Sequence, residues 1–403
     1  MSQLKVCTFS ALIPVKDKQQ SIPTYGSGKR PQAELESLAK TDEYSYIRVV
    51  KPQYLDAQIE QGTDAFYQAS QSHLNRLIAT HSLERVENVM FLYEQVQPGV
   101  KPLRGLILAV DAHQCMDGSV KKHENVLESK ASRLVKHIAA LNSISEPVLL
   151  AQKMPTSVLE IFHQSKNEES LITTVDVLGF EHKIWPLSVQ EVGLVIAAFN
   201  EFDSLYIADG HHRVAAVSEY LLNSGKSKQH GLMSLVMDQD DLLIKSFHRI
   251  IKGVGNVDFA AYFTENQIPF ETIASLNDCK VGANEALVIA KENSYLFQLG
   301  EVASTMNAVE KLEVSRVESG IFKQLLNIQN TSTDERISFV RGDIPCQEMQ
   351  DMVKNGACDC VFVLAANSFH QVEDVADQNL TMPPKSTWVE PKLLTGFVSQ
   401  IFD

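Results

Sequence analysis

"LYIADGHHRVAAVSEYLL", residues 205–222, sets an acid, a glycine, two adjacent histidines and an arginine between two apolar stretches. The run Leu205–Ala208 has the length and composition of a short buried strand, and His211 onward repeats its apolar residues at helical spacing until Ser224 and Gly225 stop it. A strand that hands directly to a helix through Asp209 and Gly210 is a unit of an α/β (α+β) protein. This reading puts Asp209 at the helix N-cap and uses Gly210 to let a ligand approach the backbone. The first helical turn then offers free N–H groups and the positive end of the dipole to an anion. His211, His212 and Arg213 add donors, and an arginine grips phosphate oxygens in pairs. A metal fits less well, because adjacent helical residues point about 100° apart and two ligands on one face require i, i+4 spacing.

The rest of the chain sets the limits. Its 403 residues exceed one ordinary core, and the expected division is 1–255, holding the box, and 256–403, a smaller C-terminal α+β region with a Pro-rich tail that returns to the site. A net charge of −14 argues against nucleic acid held through a general positive field, so an anion site must be local. The sequence has no apolar run of membrane-spanning length and no secretory leader pattern. Six cysteines are too sparse for a disulfide scaffold, and a reducing cytoplasm is the expected setting.

Two further segments carry chemistry. "DGSVKKHENVLESKASRLVKH", residues 117–137, concentrates Lys121, Lys122, Lys130, Arg133 and Lys136 in an acidic chain, with Lys130, Arg133 and His137 on one helical face. Glu124 at the mouth of that helix suits a general base or a Mg²⁺ ligand, while a solvated basic face is the plain alternative. "MPPKSTWVEPKLLTG", residues 382–396, holds Lys385, Ser386 and Thr387 on a stiff extended loop, suited either to a phosphate contact or to packing over a domain edge. "YSYIRVVKP" at 44–52 reads as a strand, and "GLMSLVMDQDDLLIKSFHRIIKG" at 231–253 as two strands around an acidic turn. "GSGKR" at 26–30 lacks the spacing of a phosphate loop and reads as an ordinary loop.

"MFLYEQ", "RGLILAVD", "GSVKKHE", "EPVLL", "KIWPL", "LYIADGHHRVAA", "FHRIIKG" and "MPPKSTWVEPKLLTGF" occur in one order along the chain. Together they resemble, nearly end to end, the bacterial and archaeal family called domain of unknown function 1015. The D-G-H-H-R box also resembles the nucleotide-binding box of the ParB and sulfiredoxin-like superfamily, which includes free-serine kinases. The resemblance implies a mixed-sheet ParB/sulfiredoxin-like core in which Asp209, Gly210, His211, His212 and Arg213 line a nucleotide-phosphate pocket.

The implied reaction is phosphoryl transfer to or from a small hydroxy amino acid such as serine, with ATP or ADP and Mg²⁺. Glu124, Asp209 and His212 are then the catalytic candidates, and Gly210, His211, His212, Arg213, Lys121, Lys122, Lys385, Ser386 and Thr387 the nucleotide contacts. The partners so implied are a nucleotide and a small-molecule substrate, without nucleic acid or membrane. The chain departs from the family after "KKHE": Lys130 is kept, but the acids that follow it in relatives are replaced by "SKASRL" and its surroundings. The alternative is therefore a nucleotide or phosphometabolite sensor that kept the pocket and lost the chemistry. A sulfiredoxin-like reductase needs a cysteine beside the box, and none lies between residues 116 and 278.

Overall fold

The computed structural model describes residues 3–26, 29–164, 169–276 and 280–403, so part of "GSGKR" lies outside the described residues. The chain forms two compact units: Met1–Lys121, Asn125–Leu242 and Pro391–Asp403 make the first, and Lys122–Glu124 with Leu243–Glu390 make the second. The expected division at 255 differs from this one. The strand Phe247–Ile251, counted by sequence with the first half, pairs with Ile337–Arg341 and Cys360–Leu364 of the second unit. "GLMSLVMDQDDLLIKSFHRIIKG" does hold strands on both sides of its acidic turn, Leu232–Asp238 and Phe247–Ile251, but the two do not pair with each other. Its first strand, Leu232–Asp238, pairs with Leu103–Val110 and Val148–Gln152 in the first unit instead.

The first unit is built on a mixed sheet with nine strands among the described residues. From one edge the order is Val120–Lys121, Leu205–Asp209, Val148–Gln152, Leu232–Asp238, Leu103–Val110, Phe91–Val96, Glu181–Pro186 and Ile172–Val175, with Val6–Cys7 paired to Leu103–Val110. Two pairings are parallel, the box strand Leu205–Asp209 with Val120–Lys121 and Leu232–Asp238 with Val148–Gln152, and the rest are antiparallel. All eight residues of Leu103–Val110 and all seven of Leu232–Asp238 are buried. This explains why these strands read as continuous apolar runs rather than alternating ones. A smaller sheet joins Leu83–Val89, Phe9–Pro14, Ser399–Ile401 and Ser143–Ile144, and so ties the chain's last residues to its first strands.

"YSYIRVVKP" is not a strand. Ile47–Val50 is a single helical turn, followed by a short tight helix at Pro52–Tyr54. β-branched residues favour strands only where a pleated surface receives them. Here the turn sinks Tyr46, Ile47 and Val49, all at 0% exposure, beneath neighbouring helices. Tyr46 and Val49 meet Leu74, Leu77 and Leu141 in one apolar cluster. Burying each such side chain contributes roughly 1.5–3 kcal/mol, which exceeds the few tenths separating helix and strand preferences.

The second unit has its own six-stranded sheet among the described residues, in the order Phe270–Ile273, Ser294–Gln298, Glu285–Ala290, Cys360–Leu364, Phe247–Ile251 and Ile337–Arg341, antiparallel throughout. Phe259, Phe263, Phe297, Phe322 and Phe362 form its aromatic core. The architecture is therefore α/β (α+β) with a mixed sheet in the larger unit. No helix among the described residues is long and apolar enough to cross a membrane.

Candidate functional site

The box helix runs His211–Asn223, and its N-cap is Gly210, not Asp209. Asp209 is the last residue of the strand, and its carboxylate faces two cations. Its Oδ2 accepts from the Arg213 guanidinium at 3.2 Å and its Oδ1 meets Lys392 Nζ at 3.2 Å. Arg213 also pairs with Glu146 Oε1 at 3.0 Å and donates to the Pro147 carbonyl. Glu146 in turn accepts from the Thr395 hydroxyl at 3.3 Å.

Gly210 has a use other than the one its sequence suggests. It sits at φ +103°, and a Cβ there would lie 3.1–3.2 Å from the Arg213 guanidinium. The missing side chain makes room for the arginine to fold back along the turn, and a left-handed backbone favours glycine in any case. Asp209, Gly210 and Arg213 form a clasp that fastens the box to Glu146 and Lys392.

Beside this clasp the first unit holds a cavity of about 540 Å³. Four groups of elements line it. The turn and loop near the N-terminal half give Gly26, Val50, Lys51, Gln61 and Gly62, and the helix Asp64–Ala79 gives Phe66 and Tyr67. The basic helix Glu128–Leu141 gives Lys130, Arg133, Leu134, His137 and Ile138. Ser143–Glu146, Thr395, His212 and Arg213 close it. The structure thus brings the face Lys130, Arg133 and His137 together with two members of the box.

The electrostatics of the lining are one-sided. Lys51, Lys130, Arg133 and Arg213 stand against one carboxylate, Glu146, which Arg213 occupies. Among the described residues no carboxylate pairs with Lys51, Lys130 or Arg133; Arg133 Nε donates only to the Ser129 carbonyl, at 3.3 Å. Burial pushes the Lys51 ammonium below its usual range and the neighbouring Arg133 charge adds to this. His137 is pushed down to about 4, by burial first, with the Lys51 charge acting in the same direction and a hydrogen bond to the Val49 backbone opposing. The half-buried Lys51 beside Arg133 is the strained cation of the group, and a bound anion relieves that strain.

Other sequence candidates lie elsewhere. Lys121 pairs in register with Tyr206 and lies 5.3 Å over its ring. Lys122, His123 and Glu124 belong to the second unit, where the His123 carbonyl accepts from Met382 N at 2.9 Å. The basic helix begins at Glu128, four positions after Glu124, so Glu124 does not open it.

Lys385, Ser386 and Thr387 are also in the second unit and form a closed local structure. Buried Arg249 donates to the Lys385 and Pro384 carbonyls at 3.0 and 3.2 Å, and Ser386 Oγ donates to the Pro383 carbonyl at 2.7 Å. Lys385 Nζ rests 5.2 Å over the Phe247 ring.

Sequence reasoning missed Lys51, hidden in a segment read as strand, and Glu146, hidden before a buried strand. It also missed the anchor of the rim residue Gly26. The preceding Tyr25 donates to Asp176, whose Oδ2 lies 3.1 Å from His182 Nε2, and Tyr93 Oη lies 2.8 Å from His182 Nδ1.

Among solved structures the chain is similar to a free serine kinase mutant in complex with ADP. Identity is 16%, with 68% of this chain and 84% of that chain covered, at a TM-score of 0.36. It is also similar to a conserved hypothetical protein from Pyrococcus furiosus, at 16% identity over 68% of this chain and 87% of that chain, TM-score 0.33. A third similar structure is a C-terminally truncated SbnI from Staphylococcus aureus, at 13% identity over 70% and 82%, TM-score 0.36. No curated protein matches the sequence. The profile of the family described as "Protein of unknown function (DUF1015)" matches residues 11–315, and the chain belongs to that family.

Proposed function

We propose that the first unit's cavity binds a nucleotide, ATP or ADP in class, with its phosphates against Lys51, Lys130 and Arg133. Its organic part lies against Phe66, Tyr67, Leu134 and Ile138. The observation that carries this is the charge balance of the lining, four cations against one carboxylate in a chain of net −14. Apolar and cationic sides within one cavity of about 540 Å³ suit a phosphorylated organic molecule better than a bare inorganic ion. Positioning and electrostatics are most of what phosphoryl transfer requires. The reaction we assign is transfer between that nucleotide and a small hydroxy amino acid of the serine type.

In this reading His212, which lines the cavity, takes the acceptor proton, and Asp209 acts as a positioning residue through Arg213. His211 is buried at the start of the box helix. The lining does not fit Mg²⁺ as a protein-held ion. That cation takes carboxylate oxygens, and the lining's one carboxylate is bound to Arg213. Among the described residues no group of three or more metal-ligating side chains occurs either. No step here depends on the ion.

One observation favours the second reading, a sensor that binds without turnover: the lining's one carboxylate, Glu146, is bound to Arg213, so among the described residues no free carboxylate base stands in it. A thermal-shift panel of ATP, ADP, CTP and phosphorylated metabolites separates these readings when run beside a phosphate-transfer assay with serine and phosphoserine. Binding at about 100 times the dissociation constant raises stability by roughly 2.7 kcal/mol. A shift with transfer supports the phosphotransferase, a shift without transfer supports the sensor, and no shift with any phosphorylated compound ends both.

A further inference from the structure

The cavity has a neutral corner as well as a cationic side. His137 lines it, with the Phe66 ring 5.7 Å and the Tyr67 ring 6.3 Å from its own. The imidazole bonds to the backbone of Val49, next to the last residue of the turn Ile47–Val50, where helical carbonyls lack intrahelical partners. Its other valence is open: Nε2 is buried and makes no hydrogen bond among the described residues. Ser143 also lines the cavity, and its buried hydroxyl likewise makes none. Two such polar atoms in one cavity are costly unless something completes them. A carbonyl acceptor at Val49 fixes the proton on Nδ1, which leaves Nε2 as a lone-pair acceptor.

We propose that His137 selects the ligand's organic part, its unprotonated Nε2 accepting a hydrogen bond from an amino or hydroxyl donor while Ser143 contributes a second polar contact. This rests on the phosphate cavity proposed above and adds a specificity determinant to it. Phosphate charge falls to Lys51, Lys130 and Arg133, and recognition of what carries the phosphate falls to His137. A cationic imidazole cannot accept, and burial first, with the Lys51 charge beside it, keeps the ring neutral.

The test compares two probes, ADP and inorganic pyrophosphate, in calorimetric titrations of wild type, His137→Phe and His137→Gln. His137→Phe is expected to weaken ADP binding at least tenfold and leave pyrophosphate unchanged, and His137→Gln, which keeps an acceptor near the Nε2 position, to recover part of the loss. Equal loss for both probes, or no loss for either, overturns the selector role while the phosphate cavity stands. A wild-type chain that takes neither probe overturns both. ¹⁵N spectra of the wild-type histidines guard against a variant that misfolds. The expected state is Nδ1–H with unprotonated Nε2 that shifts on ADP addition, and an Nε2–H tautomer refutes the proposal.

Discussion

The box Asp209–Arg213 and the basic face Lys130–His137 border the same cavity, yet their charges are handled in opposite ways. Arg213 enters with partners supplied by the fold, Asp209, Glu146 and the Pro147 carbonyl. Arg133 and Lys130 enter with no carboxylate partner among the described residues. A cation whose counterions are built in serves the structure first, whereas one left without them is available to a ligand. The motif that stands out in the sequence is thus the fastening of the site, and the less conspicuous helix supplies its free charge.

The comparison breaks most readily at Arg213. Arg213→Ala leaves Asp209 with Lys392 alone and Glu146 with the Thr395 hydroxyl alone, and loss of the shared cation of this half-buried cluster costs about 2–3 kcal/mol. Chemical denaturation of the ligand-free protein reads this, and a loss below about 1 kcal/mol contradicts the clasp.

Next comes acid sensitivity on the other side of the cavity. His137 has its folded pKa depressed from 6.5 to about 4, so the native state binds fewer protons than the unfolded chain between those values. The associated stability is fully present above about pH 6.5 and is lost as pH falls through about 4. At about 1.4 kcal/mol per pKa unit it amounts to roughly 3.5 kcal/mol in full, most of it lost by pH 4. His248, also depressed to about 4 by burial, adds a parallel loss in the second unit. Stability measured from pH 7 to pH 4 should fall less steeply in His137→Phe than in wild type, and identical slopes would contradict the depressed value.

Arg133→Ala sharpens the contrast, because it should weaken nucleotide binding by about 2 kcal/mol, or roughly 30-fold, while leaving the ligand-free protein as stable as before. Gly210→Ala tests the clasp from the backbone side. A side chain at φ +103° against the folded-back arginine should cost about 1–2 kcal/mol, visible as a lower denaturation midpoint. The smallest effect belongs to Lys130→Ala, whose exposed side chain should change ligand-free stability by less than about 0.5 kcal/mol.

What the sequence revealed follows the same division. The strand-to-helix passage at 205–223 was legible because apolar periodicity and the Ser-Gly stop are local signals. The face Lys130, Arg133 and His137 was legible because helical spacing is local too. Lys51 was not, because Ile47, Val49 and Val50 carry a strand's composition and only burial, of Val49 and Val50 against Leu74, Leu77 and Leu141 and of Ile47 against Leu35 and Ala39, makes them a helical turn. The division at 242/243 was hidden because Leu232–Asp238 and Phe247–Ile251 are both apolar strands close in sequence, and only their partners in different sheets separate them. The role of Asp209 was misjudged for a related reason. An acid before a helix suits an N-cap, and the competing cation Lys392 lies far along the chain.

The central claim is that the cations without built-in partners, not the box arginine's free valences, hold the ligand. Isothermal titration calorimetry of ADP into wild type and Arg133→Ala at one salt concentration tests it most directly. The account predicts one saturable site in the wild type and an affinity about 30-fold lower in a variant that melts at the same temperature. Equal affinity in the two proteins, or no binding to either, would contradict it.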